Sequence, residues 1–221
     1  MILKEIVVGP FQCNCKILAC PKTGEAVIID PGDESKEILK YLKNLKTPFG
    51  QDLKVKYLFH THAHLDHIAA TRDVRENQVS SKIALHKNDE VLYQQLKMQG
   101  GFFGLNLSDP LPVEHYFVDE EVISVGSLKF SIIHTPGHSP GSVSIRLHEN
   151  SESNVKEMLF SGDTLFQGSI GRTDLWGGDF DVLIKSIRQR IFSLDDDIPV
   201  CPGHGPNTLV GIEKRENPFC S

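Results

Sequence analysis

The chain of 221 residues contains no stretch approaching about 18 consecutive apolar residues, so no helix is expected to cross a membrane. It has no run of lysine and arginine. Its 29 acidic residues outweigh 23 basic ones, and the formal charge of −6 argues against nucleic acid as a main partner. It has no Gly-x-Ser-x-Gly element. The nearest serine–glycine strings, Gly141-Ser142 and Gly168-Ser169, lack the strand–turn–helix context of a serine nucleophile. Cysteines are few and odd in number, five in all. Cys13 and Cys15 form a C-x-C with Cys20 close behind, yet no second close pair completes a thiolate metal site. Cys201 is expected to be a buried thiol, and Cys220 an exposed one. Unpaired thiols suit a reducing cytoplasm, the expected location. The segment Met1–Val8 has a short apolar run broken by charge, the pattern of a strand rather than of a signal peptide. No internal repeat of solenoid period is present.

What the sequence does contain is concentrated at residues 62–67. His62-Ala63-His64-Leu65-Asp66-His67 reads H-x-H-x-D-H, three imidazoles and a carboxylate within six residues. Imidazole nitrogens and carboxylate oxygens are the donors that zinc, iron and manganese accept. Lys54–His60 before the motif has a strand pattern, and Ile68–Val74 after it a helical one. A strand-to-helix junction is where α/β proteins place their sites. In an extended or looped backbone His62 and His64 project to one side, and Asp66 and His67 reach around a second point. Two metal positions are therefore expected.

Three more segments repeat the same design. Thr135-Pro136-Gly137-His138-Ser139-Pro140-Gly141 follows the apolar run 128–133, Ser161-Gly162-Asp163-Thr164 closes the run 158–160, and Pro202-Gly203-His204-Gly205-Pro206 closes 198–200. In each a strand stops, glycine or proline turns the chain, and one ligand-type residue is presented. The other histidines differ. His60 is expected to pack under the site or to hydrogen-bond a ligand. His86 has no partner in the sequence, His115 and His148 lie in polar surroundings and are expected at the surface, and His134 is expected to be structural.

Strands are predicted over 2–8, 15–20, 26–30, 54–60, 82–86, 122–125, 128–133, 142–147, 157–161 and 197–201. Helices are predicted over 36–46 with Ser35 as N-cap, and over 66–77, 88–98 and 180–192. Residues 100–105 read as a glycine-rich loop placed to cover the site, whose two phenylalanines either contact an acyl group or pack inward. Length and pattern support a single α/β domain over residues 1–221.

Together these residues resemble the metallo-β-lactamase superfamily. The order H-x-H-x-D-H, His, Asp, His runs from residue 62 to 204. Within the superfamily the chain looks most like the hydroxyacylglutathione hydrolases (glyoxalase II), especially their compact bacterial members. Gly171-Arg172-Thr173-Asp174 and the tail Gly211–Phe219 carry that narrower likeness. The resemblance implies an αββα sandwich and two divalent metal ions, zinc foremost, with iron or manganese as alternatives. His62, His64 and His138 would hold one ion, and Asp66, His67 and His204 the other. Asp163 would bridge them, and Asp66 would also orient the hydroxide shared between the ions. A cysteine at position 163 would mark many zinc β-lactamases, so the aspartate argues against a β-lactam substrate. The implied reaction is hydrolysis of a small-molecule thioester such as S-D-lactoylglutathione. Alternatives on the same fold are a mono-iron persulfide dioxygenase, which uses two histidines and one aspartate, and a lactonase or other ester hydrolase. Glyoxalase II enzymes typically continue into a helical glutathione-binding domain. Only 17 residues follow His204 here, so that domain is not expected. Arg172 is expected either to bind a substrate carboxylate or to form an ion pair with Asp174 or Asp179. Phe166 and Trp176 either line the same mouth or pack.

Overall fold

The computed structural model describes residues 1–150 and 155–220. Two six-stranded sheets lie face to face, each with helices on its outer side. The first sheet holds β1 (Ile2–Val8), β2 (Cys13–Ala19), β3 (Glu25–Ile29), β4 (Lys54–Phe59), β5 (Lys82–His86) and β6 (His115–Phe117), in that order. Its first three strands are antiparallel, and β3 to β6 are parallel. Parallel neighbours need crossovers, which α1 (Ser35–Asn44), the helices α2 (Leu65–Ile68) and α3 (Thr71–Asn77), and α4 (Glu90–Gln94) with α5 (Leu96–Phe102) provide. In α1, Ile38 and Leu42 sit four residues apart and are buried against this sheet.

The second sheet is built from β7 (Val122–Val125), β8 (Leu128–His134), β9 (Val143–Leu147) and β10 (Met158–Gly162), a consecutive antiparallel meander. A short hairpin of β11 (Leu165–Phe166) and β12 (Ser169–Ile170) follows. The chain then runs through α6 (Phe180–Ser186), β13 (Pro199–Pro202), which lies parallel to β10, β14 (Thr208–Leu209) and α7 (Val210–Glu216). The alternation of β8 places Leu128, Phe130 and Ile132 between the sheets, where they meet Val27, Ile29 and Phe59 of the first. A separate apolar cluster seats α6 and α7 on the outer face of the second sheet. The result is the four-layer αββα order expected. No helix among the described residues is long and apolar enough to cross a membrane.

Several local expectations need correction. The helix expected over 66–77 is two helices, because Ala70 N–H leaves the helical ladder to donate to Pro31 O. Residues 87–89 form a 3₁₀ turn, and residues 100–102 belong to the last turn of α5 rather than to a loop. The helix expected over 180–192 ends as α-helix at Ser186 and continues as a π turn over Ile187–Ile191, with Phe192 N–H reaching Ile187 O. Glu34, at φ +50°, precedes α1, so Ser35 is inside the helix and gives its hydroxyl to Asp73. Cys220 is buried, because the terminal turn folds back on Asn217 and Arg188, and burial pushes its thiol up to about 11. His115 and His148 are half-buried and paired with Glu121 and Ser131. His86 has a partner after all: it stacks on His134 at 4.2 Å.

Candidate metal centre

The loops that follow β4, β8, β10 and β13 meet at one end of the two sheets. His62 Nε2 lies 3.2 Å from His138 Nε2, and His64 Nδ1 lies 2.8 Å from that same nitrogen. Beside them His67 Nε2 is 3.2 Å from His204 Nε2, and Asp66 Oδ2 is 3.2 Å from the latter. Asp163 lies between the two groups, with Oδ1 3.4 Å from His67 Nε2 and Oδ2 3.7 Å from His138 Nε2 and 3.5 Å from His204 Nε2. The donor atoms fall into three groups that could each hold a cation: His62–His64–His138, His62–His67–Asp163 and Asp66–His67–His204. All seven expected ligand residues are therefore brought together.

Two observations fit this cluster to cations. His138 Nδ1 donates to Arg172 O, which leaves its Nε2 a lone pair aimed between His62 Nε2 and His64 Nδ1, a convergence of imidazole nitrogens that a positive ion would hold. Asp163 Oδ1 is buried with no hydrogen-bond partner, and an orphaned carboxylate oxygen in a protein interior calls for a ligand. Gly203 is required at this point, because a Cβ there would stand 2.3 Å from that same oxygen.

The electrostatics of the two groups differ. Burial lowers His62 well below its ordinary range, helped by His67 and the other imidazoles. Burial and His138 bring His64 down to about 3. Both rings stay neutral, the form that ligates metal. Burial pushes His67 and His204 down as well, but the surrounding groups outweigh it: Cys13, Asp163, Asp66 and Asp30 for His67, and chiefly Asp66 and Asp163 for His204. Both end above the ordinary histidine value. Burial works to raise Asp66, but His67 and His204 hold its carboxyl far below the usual range.

Residues not singled out in the sequence hold the ligands in place. Asp30, at the end of β3 with φ +50°, is buried and accepts from Thr61 N–H at 2.8 Å, Thr61 Oγ1 at 2.7 Å and His67 Nδ1 at 3.0 Å. The bond from Nδ1 fixes the His67 ring so that Nε2 faces the cluster. Cys13 Sγ lies 3.6 Å from the same Nδ1. Asp89 is fully buried and joins two ligand loops: it accepts from Ala63 N–H at 2.9 Å, and from Ser139 Oγ at 2.7 Å and Gly141 N–H. Asn14 Nδ2 donates to Pro202 O and Gly205 O, and the buried Lys16 Nζ donates to Pro202 O, which anchors the His204 loop to β2. The Asp-Pro-Gly at the end of β3 was a readable signal for Asp30; nothing local marks Asp89. His60 is buried beneath the site but bonds Ala84 O and Thr71 Oγ1 rather than a ligand, and burial lowers it to about 4. Cys201 is a buried thiol outside the cluster.

Above the cluster opens a cavity of about 560 Å³ that reaches His64, Asp66, His138, Asp163 and His204. Arg172 and Trp176 line it. Arg172 O accepts from His138 Nδ1 at 2.7 Å, and its exposed guanidinium makes two bonds to Asp174. The Arg172–Asp174 pair is thus present, and Arg172 is also at the mouth. Phe166 approaches His204, with ring centroids 6.3 Å apart.

The chain matches the family model of the metallo-beta-lactamase superfamily over residues 8–204. Over 220 residues it is 37% identical to hydroxyacylglutathione hydrolase GloC of Haemophilus influenzae, covering 99% of this chain and 98% of that one. Its fold superposes on BLEG-1 B3 metallo-beta-lactamase with a TM-score of 0.84 and 37% identity, covering both chains completely. It superposes on TTHA1623 in a di-iron-bound form with a TM-score of 0.79 and 35% identity, covering 98% of this chain and 99% of that one.

Proposed function

The chain belongs to the metallo-β-lactamase superfamily, and on that premise we propose that it is a di-metal hydrolase of thioesters, with S-D-lactoylglutathione and related hydroxyacylglutathiones as reference substrates. The observation that carries this reading is the pair of three-residue donor groups sharing Asp163 at the floor of an open cavity. His62, His64 and His138 would hold one ion, Asp66, His67 and His204 the second, and Asp163 both. Zinc suits this shell of imidazoles and carboxylates; iron and manganese are the alternatives. Ions bound there would supply a water of lowered pKa and polarise the scissile carbonyl. Asp66 is a catalytic residue in this reading: its carboxylate, ionised throughout the neutral range, orients the attacking water. Water oxygen adds to the acyl carbon, the carbon–sulfur bond breaks, and acid and thiol leave. The five free thiols support a reducing compartment for this activity.

The test is hydrolysis of S-D-lactoylglutathione by purified protein, with metal content measured on the same sample. Turnover with two ions per chain is expected. One iron and no hydrolysis would shift the assignment to persulfide oxidation. Two ions with hydrolysis of a cephalosporin but no thioester would shift it to a lactamase, which the likeness to BLEG-1 makes a necessary control.

Acidity should empty the two metal positions in order. His67 and His204 sit above the ordinary histidine value, so near neutrality an incoming ion must expel their protons, whereas His62 and His64 are already neutral. Metal affinity at the Asp66–His67–His204 group therefore falls first as pH drops from 8 to 6. Metal content after dialysis at each pH should pass through one ion per chain; loss of both together would contradict this order.

Arg172 offers a second check. Its pair with Asp174 is exposed and worth little to stability. Arg172→Ala should raise KM by about tenfold, the loss of one charged hydrogen bond, with a smaller change in kcat. Unchanged KM with a loss of soluble protein would make the residue structural.

A further inference from the structure

The walls of the cavity are apolar to a degree that the reference substrate does not use. Met98 and Phe102 of α5, Phe103 after it, Phe11 from the β1–β2 turn, and Leu175 with Trp176 surround the opening. Phe102 is 79% exposed, Phe103 56% and Trp176 55%. Phe11 and Phe103 meet edge to face at 5.0 Å, so two separate segments form one continuous wall. Large aromatic side chains left in water beside a polar floor mark a binding surface. Apart from the imidazoles, Arg172 is the only cationic side chain among the described residues of the lining, so it can meet one carboxylate and leaves a second without a partner. Glutathione carries two carboxylates, and a lactoyl group is three carbons bearing a hydroxyl. Neither matches six apolar side chains around about 560 Å³.

We propose that this wall binds an extended apolar acyl chain, so that medium-chain acyl thioesters are the preferred substrate class. The proposal rests on the thioesterase reading and specifies its acyl side. The carbonyl sits over the His/Asp floor and the chain runs along Met98, Phe102 and Trp176. Hydrolysis adds water across the acyl–sulfur bond, and releases a fatty acid and a thiol, with no other reactant. The ribbon of exposed aromatics is then covered when substrate binds.

A series of thioesters of one small thiol, with acyl chains of two to eight carbons, tests this directly. Burial of each methylene should raise kcat/KM by about fourfold up to about six carbons. Phe102 is exposed, so Phe102→Ser leaves the fold intact, and it should flatten that slope. A readout without turnover is also available, because Trp176 is the single tryptophan of the chain and lines the cavity. Its fluorescence should report straight-chain carboxylates binding about fourfold more tightly per added methylene. Hydrolysis that ignores acyl length, or that rises only when the thiol is lengthened, overturns the proposal and leaves the thioesterase reading standing. No hydrolysis of any thioester, with the carboxylate series still graded by length, removes the thioesterase reading and keeps the apolar chain site.

Discussion

Asp163→Ala should abolish activity and leave the protein unable to retain either ion. Its carboxylate lies within 3.7 Å of ligand nitrogens from both donor groups, and one of its oxygens is buried with no hydrogen-bond partner. Replacing it removes a donor from both shells at once and leaves five imidazoles, two of them drawn toward protonation, around an uncompensated space. Substituting an outer partner of a metal ligand reduces affinity or activity by about 10–100-fold. A shared inner donor should exceed the upper end of that range in kcat/KM. The fold should survive, because the side chain contributes no hydrogen bond to the apolar layers. Asp163→Asn keeps one oxygen and loses the charge, and should retain metal more weakly than the parent. Metal analysis after dialysis, alongside circular dichroism, decides the matter. A folded Asp163→Ala protein holding two ions per chain would defeat the bridging assignment.

The same geometry explains which parts of the molecule were legible in the sequence. Each ligand segment begins at the end of a β-strand, either as the dense H-x-H-x-D-H or as Gly or Pro with a single His or Asp, and both are local patterns; β4, β8, β10 and β13 were therefore located to within a residue or two at the end that matters. The interruption between α2 and α3 was not legible, because its cause is Pro31 O, nearly forty residues upstream. The hydroxyl of Ser35 is claimed by Asp73 from another helix, which no local capping pattern can foresee. Cys220 reads as a terminal residue, yet the contacts that bury it come from Arg188 and Asn217. The short strands β6, β11, β12 and β14 have two or three residues each, too few for alternation to register. In the site the division is the same. Ligands cluster in sequence because one loop must present several donors, while the groups that aim them, Asp30 and Asp89, reach the site by strand pairing and crossover.

Asp89 gives that last point its sharpest consequence. Its fully buried carboxylate accepts hydrogen bonds from Ala63 N–H, between the first two ligands, and from Ser139 Oγ and Gly141 N–H, just after His138. The loops carrying His62, His64 and His138 are thus held in register through one side chain that touches none of the three ligating atoms. Burial pushes its carboxyl upward against the pull of these donors, so the bonds are what keep it in place. Close approach is built in: a Cβ on Gly141 would lie 2.7 Å from the Asp89 side chain. Asp89→Ala strands the Ala63 and Gly141 N–H groups away from water, each worth about 1–3 kcal/mol, and takes from Ser139 Oγ one of its two partners, leaving Ser142 Oγ. A loss of about 3 kcal/mol or more is expected, a fall of about 10 °C in Tm for a chain of this size. The loss of positioning is a separate effect. Affinity at the His62–His64–His138 group should fall about 10–100-fold while the Asp66–His67–His204 group keeps its own. Asp89→Asn retains one acceptor oxygen but turns an N–H₂ toward a donor, and should fall between the two in both measurements. Titration with zinc against a chromophoric chelator at 20 °C, well below either transition, separates positioning from stability. Asp89→Ala protein with a lowered Tm and two undisturbed zinc affinities would reduce the residue to packing.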